Sequence, residues 1–165
     1  METPPTTPVS IILVEDNPVD IYTVQWVLTA HALPYELQVI ENGDDALEVF
    51  DLLAAQEVLH APTLVLLDLN LPQMDGKDVL RHLKAIPHGS DIRVVVVTSS
   101  NNPTDRCETL RLGADAYFVK PFHLHDFMHL GNVVKQVAFA PPPGEEAALR
   151  CNPCCSHPTR PKLNT

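Results

Sequence analysis

The fold class follows from residues 64–76, which read LVLLDLNLPQMDG. Four apolar residues precede Asp68, as expected of a strand that is buried on both faces of a sheet. Asp75 and Gly76 follow after a short turn and are residues typical of a turn and of the start of a helix. A carboxylate placed in this way lies at the carboxyl end of a buried parallel strand, where open α/β sheets have their binding and active sites. Asp68 is therefore the first candidate site residue.

Two further acids end an apolar run near the N-terminus. Glu15 and Asp16 follow residues 9–14, which read VSIILV. Because parallel strands present their carboxyl ends at one edge of a sheet, these acids and Asp68 can share a single cation. Carboxylate and carbonyl oxygens together with water are the ligands that Mg²⁺ prefers. A carboxylate beside Mg²⁺ is also a nucleophile toward phosphorus.

Short apolar runs alternate with helical patterns throughout the middle of the chain. The strand candidates are residues 10–14, 36–40, 64–67, 93–98 and 116–119. Three apolar stripes have helical spacing: Ile21, Val24, Leu28 and His31; Ala46, Val49, Phe50 and Leu53; and Leu124, Phe127, Leu130, Val134 and Val137. Five strands alternating with five helices predict a parallel sheet that is covered on both faces.

Composition and charge limit the function classes. The chain has 165 residues and a net charge of −10, which argues against nucleic-acid binding because phosphate contacts need clustered Lys and Arg. No apolar stretch approaches the roughly 20 residues that span a bilayer, so no membrane partner is expected. The N-terminus lacks the basic and apolar parts of a signal peptide, which predicts a cytoplasmic protein.

Prolines divide the chain into three parts. Three of the 16 prolines lie in residues 1–8 and six in residues 141–165. We therefore expect a flexible N-terminus over 1–8, one folded domain over 9–140 and a flexible Pro/Cys-rich tail over 141–165.

The last two strands add one hydroxyl and one amine to the same edge. The fourth strand ends at Thr98, and Lys120 and Pro121 follow the fifth. A lysine ammonium and a threonine hydroxyl can hold phosphoryl oxygens through charge and hydrogen bonding.

Four segments together resemble the receiver domain of bacterial response regulators. They are LVEDN at 13–17, LLDLNLP at 66–72 with MDG at 74–76, VTS at 97–99 and GADAYFVKPF at 113–122. The resemblance covers residues 9–140. It implies a flavodoxin-like (βα)5 three-layer sandwich whose five-stranded parallel sheet has the order 2-1-3-4-5.

The resemblance also implies the roles of the site residues. Asp68 is expected to be the phosphoacceptor, and Thr98 and Tyr117 to move when it is phosphorylated. Lys120 is expected to contact the phosphoryl group, with a cis bond to Pro121. The expected Mg²⁺ ligands are Glu15, Asp16, Asp68 and the backbone carbonyl of Asn70.

The partners are inferred from the same resemblance. The phosphodonor is expected to be a sensor histidine kinase, with a phosphotransfer protein as a further candidate partner. EDNPVDI at 15–21, DLNLP at 68–72 and a second helix that runs on toward His60 are similar to single-domain regulators paired with bacterial phytochromes. A homodimer is expected to form on the face of helix four, strand five and helix five.

Two other functions remain open at this stage. Asp68 with Asn70 is similar to the Asp-x-Asp pair of small phosphohydrolases that use an aspartate nucleophile, although the second acid is missing. The third reading is a constitutive receiver-like interaction module that is not phosphorylated. The receiver function implied by the resemblance makes the protein a phosphoacceptor that catalyses its own phosphorylation, not an enzyme that acts on other substrates.

Overall fold

The computed structural model describes residues 8–56 and 63–140, in which five strands alternate with six helical segments. In chain order they are β1 Val9–Val14, α1 Pro18–Ala30, β2 Tyr35–Ile40, α2 Gly43–Ala54, β3 Thr63–Leu67, α3 Gly76–Ala85, β4 Arg93–Thr98, α4 Pro103–Arg111, β5 Ala116–Val119, α5 Leu124–Phe127 and α6 His129–Ala138. The predicted tails, apart from Pro8, lie outside the described residues, and so does the stretch 57–62.

All five strands are parallel, and the order in the sheet is β2-β1-β3-β4-β5. This confirms the predicted flavodoxin-like architecture, and each strand begins within one residue of its predicted start. The central strands are buried on both faces, as their nearly continuous apolar sequences indicate.

Alternate residues of each strand serve two separate cores, which gives the three layers. On one face Val14, Leu67 and Val96 pack with Phe50 of α2 and with residues of α3. The other face packs against α1, α5 and α6; its buried strand residues are Val9, Ile11, Leu13, Leu64, Leu66, Val95 and Val97. This alternation follows from the period of two along a strand.

Polar caps start four of the helices at the carboxyl edge of the sheet. The cap side chains accept hydrogen bonds from backbone N–H groups of the first turn, and they are Asn17, Asn42, Asp75 and Asn102. Such bonds satisfy donors that the helix itself leaves unpaired. The helix N-termini therefore face the edge at which Asp68 was expected.

The predicted fifth helix is interrupted at Met128, so that α5 and α6 are separate segments. Met128 keeps helical dihedral angles. Its N–H donates to the His125 carbonyl, and the Gly131 N–H donates to the Met128 carbonyl. These bonds reach back three residues instead of four, which tightens the turn. The apolar stripe nevertheless faces the core on both segments.

The second helix ends at Ala54, and the N–H of Ala55 closes its last turn on the Asp51 carbonyl. From residue 57 onward, the predicted extension toward His60 lies outside the described residues. None of the helices in the described part of the chain has the length and apolar character that a bilayer span requires.

Replacing Phe50 by alanine tests which face of α2 is buried. Phe50 is fully buried, whereas Leu52 on the same helix is 70% exposed. Phe50→Ala should lower the free energy of unfolding by about 3–5 kcal/mol, because it leaves a cavity between α2 and the sheet. Leu52→Ala should change it by no more than about 0.5 kcal/mol. Urea denaturation measures both, and equal losses would contradict this packing.

Candidate functional site

The register of the sheet brings Glu15 and Asp68 side by side. Val14 pairs with Leu67, so these acids are the next residues on neighbouring strands. The Asp68 N–H donates to the Val14 carbonyl at 3.0 Å, which continues the ladder beyond the strand. Glu15 is 1% exposed and Asp68 is 5% exposed. Two buried carboxyl groups at one edge require a counter-charge.

Lys120 supplies that counter-charge from the end of β5. Its ammonium donates to Glu15 Oε2 at 2.6 Å and to Asp68 Oδ2 at 2.8 Å. A third bond, also 2.8 Å long, runs to Oδ2 of Asp20 in the first turn of α1. Each of the three N–H donors of the ammonium therefore has a carboxylate acceptor. These contacts join β1, β3, β5 and α1 at one point.

The bond between Lys120 and Pro121 is trans, so the expected cis bond was wrong. The Lys120 N–H still donates to the Thr98 carbonyl at 2.8 Å, and the side chain still reaches the acids. Trans is the isomer favoured by about 0.5–1 kcal/mol in X–Pro bonds, and the contacts of Lys120 form with it.

Burial and pairing shift the pKa values of Glu15 and Lys120. Burial raises the pKa of Glu15 to about 7, although the hydrogen bond and charge of Lys120 oppose this shift. Burial alone would lower the pKa of the Lys120 ammonium. Its hydrogen bonds to Asp20, Asp68 and Glu15 outweigh that effect and hold the pKa above its ordinary value. The ammonium therefore stays charged throughout the physiological range, whereas Glu15 can take up a proton near neutral pH.

The Asp68 carboxylate is oriented through both of its oxygens. Oδ1 accepts from the Asn70 N–H at 3.1 Å, and Oδ2 accepts from Lys120. The turn that follows closes tightly, because the Gly76 N–H donates to the Leu69 carbonyl at 2.9 Å. A Cβ atom on Gly76 would collide with the Asp68 carbonyl oxygen and lie 2.6 Å from the Leu69 Cα. Only glycine allows α3 to begin this close to the phosphoacceptor candidate.

Thr98 lies beside Asn70, and Tyr117 is hydrogen-bonded to the loop after β4. The Thr98 hydroxyl accepts from the Asn70 side-chain amide at 3.4 Å and from the Ser100 N–H at 3.2 Å. The Tyr117 hydroxyl donates to the Ser100 carbonyl at 2.9 Å. The guanidinium of Arg106 lies over the Tyr117 ring, with its Cζ atom 5.9 Å from the ring centroid. Ser100, which carried no expectation, thus connects the two predicted switch residues.

Asp16 and Asn70 complete the predicted metal ligands. Asp16 is exposed beside the buried Glu15, and Asn70 forms an isolated antiparallel bridge with Asp75. Carboxylates together with a carbonyl and access to water fit Mg²⁺ by their chemistry. Within residues 8–56 and 63–140, however, no three acids, histidines or cysteines are already arranged around one metal position. The Lys120 ammonium bonds one carboxylate oxygen of Glu15 and one of Asp68, which are two of the predicted metal ligands.

Asp20 is the site residue that the sequence reasoning missed. It belongs to the quoted motif at 15–21, but no role was assigned to it. A signal was available: Asp20 is in the first turn of α1, and that turn starts at the carboxyl end of β1. Its acid must therefore lie at the edge of the sheet that Lys120 also reaches.

A second charged cluster connects the start of α3 with α4. The Lys77 ammonium donates to Asp105 at 3.1 Å and to Glu108 at 2.9 Å. Glu108 and Asp105 raise the pKa of Lys77. Hydrogen bonds from Ser100 and Lys77 lower the pKa of Asp105, and the Ser100 bond is 2.6 Å long. The loop after β4 is thereby held to both helices.

Comparison with known proteins agrees with this arrangement. Residues 11–130 match the family described as the response regulator receiver domain. The chain is 36% identical over 123 residues to the response regulator Rcp1 of Synechocystis sp., and the alignment spans 74% of this chain and 84% of Rcp1.

Two solved structures are also similar. One is the phosphorylated cyanobacterial phytochrome response regulator RcpA, with a TM-score of 0.70, 30% identity and coverage of 82% of this chain and 97% of RcpA. The other is the Mn²⁺-bound form of Rcp1, with a TM-score of 0.67, 33% identity and coverage of 83% and 100%. With the family match and the Rcp1 alignment both covering most of the chain, this protein belongs to the response regulator receiver family of two-component signalling.

Proposed function

We propose that Asp68 accepts a phosphoryl group from a sensor histidine kinase and stores it as a signal. The observation that carries this proposal is the buried Asp68 carboxylate, oriented by the Asn70 N–H and the Lys120 ammonium. A carboxylate held in this way presents an oxygen in a fixed direction, as a nucleophile requires. The receiver itself catalyses the transfer, and it acts on no other substrate.

In the proposed transfer, an oxygen of Asp68 forms a bond to phosphorus while the bond between phosphorus and the kinase histidine nitrogen breaks. That nitrogen keeps the electron pair and takes up a proton. The Lys120 ammonium offsets the negative charge of the phosphoryl oxygens. The Thr98 hydroxyl already accepts from the Ser100 N–H and can donate its own hydrogen to one of those oxygens.

Mg²⁺, when bound, would neutralise charge between the acids and the phosphoryl group. The residues that would hold it are Asp16, Asp68, the carbonyl of Asn70 and, through water, Glu15. The similar protein Rcp1 has been solved in a Mn²⁺-bound form, and this supports a divalent cation site in the present chain.

Phosphorylation has a short path to α4 and β5. It adds about −1.5 to −2 charges at Asp68, which attract the Thr98 hydroxyl. Turning that hydroxyl weakens its bond with the Ser100 N–H. The Ser100 carbonyl accepts from Tyr117, and the Ser100 hydroxyl donates to Asp105. A change at Thr98 therefore biases Tyr117 on β5 and Asp105 on α4 together.

The output of this switch is a protein–protein contact. Exposed apolar side chains lie on or beside α4, β5 and α5, and they are Leu110, Phe122 and Leu124. They suit the homodimer expected on this face, and a phosphotransfer protein would take the phosphoryl group from Asp68. The similarity to Rcp1, and to RcpA with its phytochrome description, supports a phytochrome-type kinase as the phosphodonor. Transfer is expected in the cytoplasm.

Phosphorylation by a small donor tests the proposal directly. Incubation with acetyl phosphate and Mg²⁺ should add one phosphoryl group of about 80 Da, visible in the intact mass and removable by hydroxylamine. Asp68→Asn should abolish the gain, because the nucleophile is lost. Asp44→Asn, which removes an exposed acid on α2, should leave it unchanged.

The two remaining functions predict different results in the mass assay and in a phosphatase assay. A constitutive interaction module would show no mass gain in the unaltered protein. Rapid turnover of p-nitrophenyl phosphate would favour the phosphohydrolase. A mass gain that persists in Asp68→Asn would contradict the assignment of the acceptor.

Magnesium affinity should depend on pH through Glu15. Its pKa is raised to about 7 by burial, so a proton and Mg²⁺ compete for this carboxylate near neutral pH. Affinity should rise as the pH increases from about 6 to about 8 and level off above that range. Titration calorimetry measures this dependence. Glu15→Gln should bind more weakly and without the rise; a rise that remains in this variant would assign the pH dependence to other groups.

A further inference from the structure

Asp20 accepts a hydrogen bond from Lys120 but has no role in the phosphoryl transfer proposed above. Its side chain is 22% exposed, and Oδ2 lies 2.8 Å from the Lys120 Nζ. The residue is fixed in the first turn of α1, which Asn17 caps through a 2.9 Å bond to the Val19 N–H. Asp20 therefore approaches Lys120 from a helix and not from the sheet that carries the other two acids.

Of the three carboxylates around Lys120, two are also proposed Mg²⁺ ligands and one is not. Glu15 and Asp68 belong to the proposed Mg²⁺ ligands, whereas Asp20 does not. The ammonium bonds one oxygen of each of these two acids, so a Mg²⁺ ion bound by the same acids would share their negative charge with it and would weaken two of the three bonds of Lys120. The bond to Asp20, which is not among the proposed ligands, would keep its full acceptor charge.

Burial makes this weakening costly for the lysine. The Lys120 side chain is 7% exposed, so an ammonium that loses its partners has little access to water. An unpaired buried charge is strongly destabilising. An acid outside the metal site can remove that cost, provided that it keeps the ammonium where it already lies.

We propose that Asp20 is a positioning residue, which holds the Lys120 ammonium when Mg²⁺ takes the Glu15 and Asp68 carboxylates. The inference rests on the proposed function. Asp20 lowers the free energy of the metal-bound state without touching the metal. It also keeps Lys120 at the edge of the site, where an incoming phosphoryl group needs a cation.

A double-mutant cycle on Mg²⁺ affinity tests the inference without measuring activity. Titration calorimetry is carried out on the unaltered chain, Asp20→Asn, Lys120→Met and the double variant, with Lys120→Gln as a second neutral replacement. Asp20→Asn should weaken Mg²⁺ binding about three- to tenfold, as expected for one charge-assisted bond at a partly exposed position. In either Lys120 background the same substitution should have little effect.

Control variants separate positioning from general charge. Asp44→Asn changes the net charge equally but removes an exposed acid on α2, and it should leave the affinity unchanged. Asp20→Glu keeps the charge and should recover part of the lost affinity. Circular dichroism checks that each variant is folded.

Two results would overturn the inference and leave the receiver function intact. One is an equal loss with and without Lys120, which would mean that Asp20 acts on the metal or through bulk charge. The other is no loss in Asp20→Asn. Failure of the proposed function is distinguishable, because the unaltered chain would then bind no Mg²⁺ or gain no phosphoryl mass at Asp68.

Discussion

Carboxylates that lie a few ångströms apart and away from water repel one another, and the carboxyl edge of this sheet gathers three of them around one point. The Lys120 ammonium makes that arrangement stable, with bonds of 2.6–2.8 Å to Glu15, Asp20 and Asp68. Since these acids come from β1, α1 and β3, a single cation connects elements that are far apart in sequence. A Mg²⁺ ion bound by the proposed ligands Glu15 and Asp68 would share these acids with a lysine that is already in place.

The strands and the polar residues at their carboxyl ends were predictable because both depend on short-range sequence patterns. Buried parallel strands are nearly continuous apolar runs, and an acid at the end of such a run has one edge on which to lie. Asp68, Glu15, Thr98 and Lys120 therefore meet where expected, and the strand order followed from the family resemblance. Their proposed roles await experiment.

What could not be predicted depends on how elements pack in three dimensions. The sequence places Asp20 and Lys120 at the same edge of the sheet, but their contact depends on the position of the first turn of α1 relative to β5, and no sequence spacing encodes that distance. Ser100 bridges Thr98 and Tyr117 only through the shape of the loop after β4. The break at Met128 is likewise invisible in an apolar stripe that continues across it, because hydrogen bonds that reach three residues back keep the same side chains facing the core.

The turn after β3 combines two contacts in adjacent residues. Gly76 packs so closely on the Asp68 backbone that no side chain fits, and Lys77 forms the ion pairs with Asp105 and Glu108 of α4. The acceptor end of β3 and the surface helix are thus joined through one dipeptide. This sets the smallest piece that can be exchanged between receivers. A chimera that imports a foreign α4 without a matching residue at 77 would lose the ion pairs that join this helix to the turn after β3.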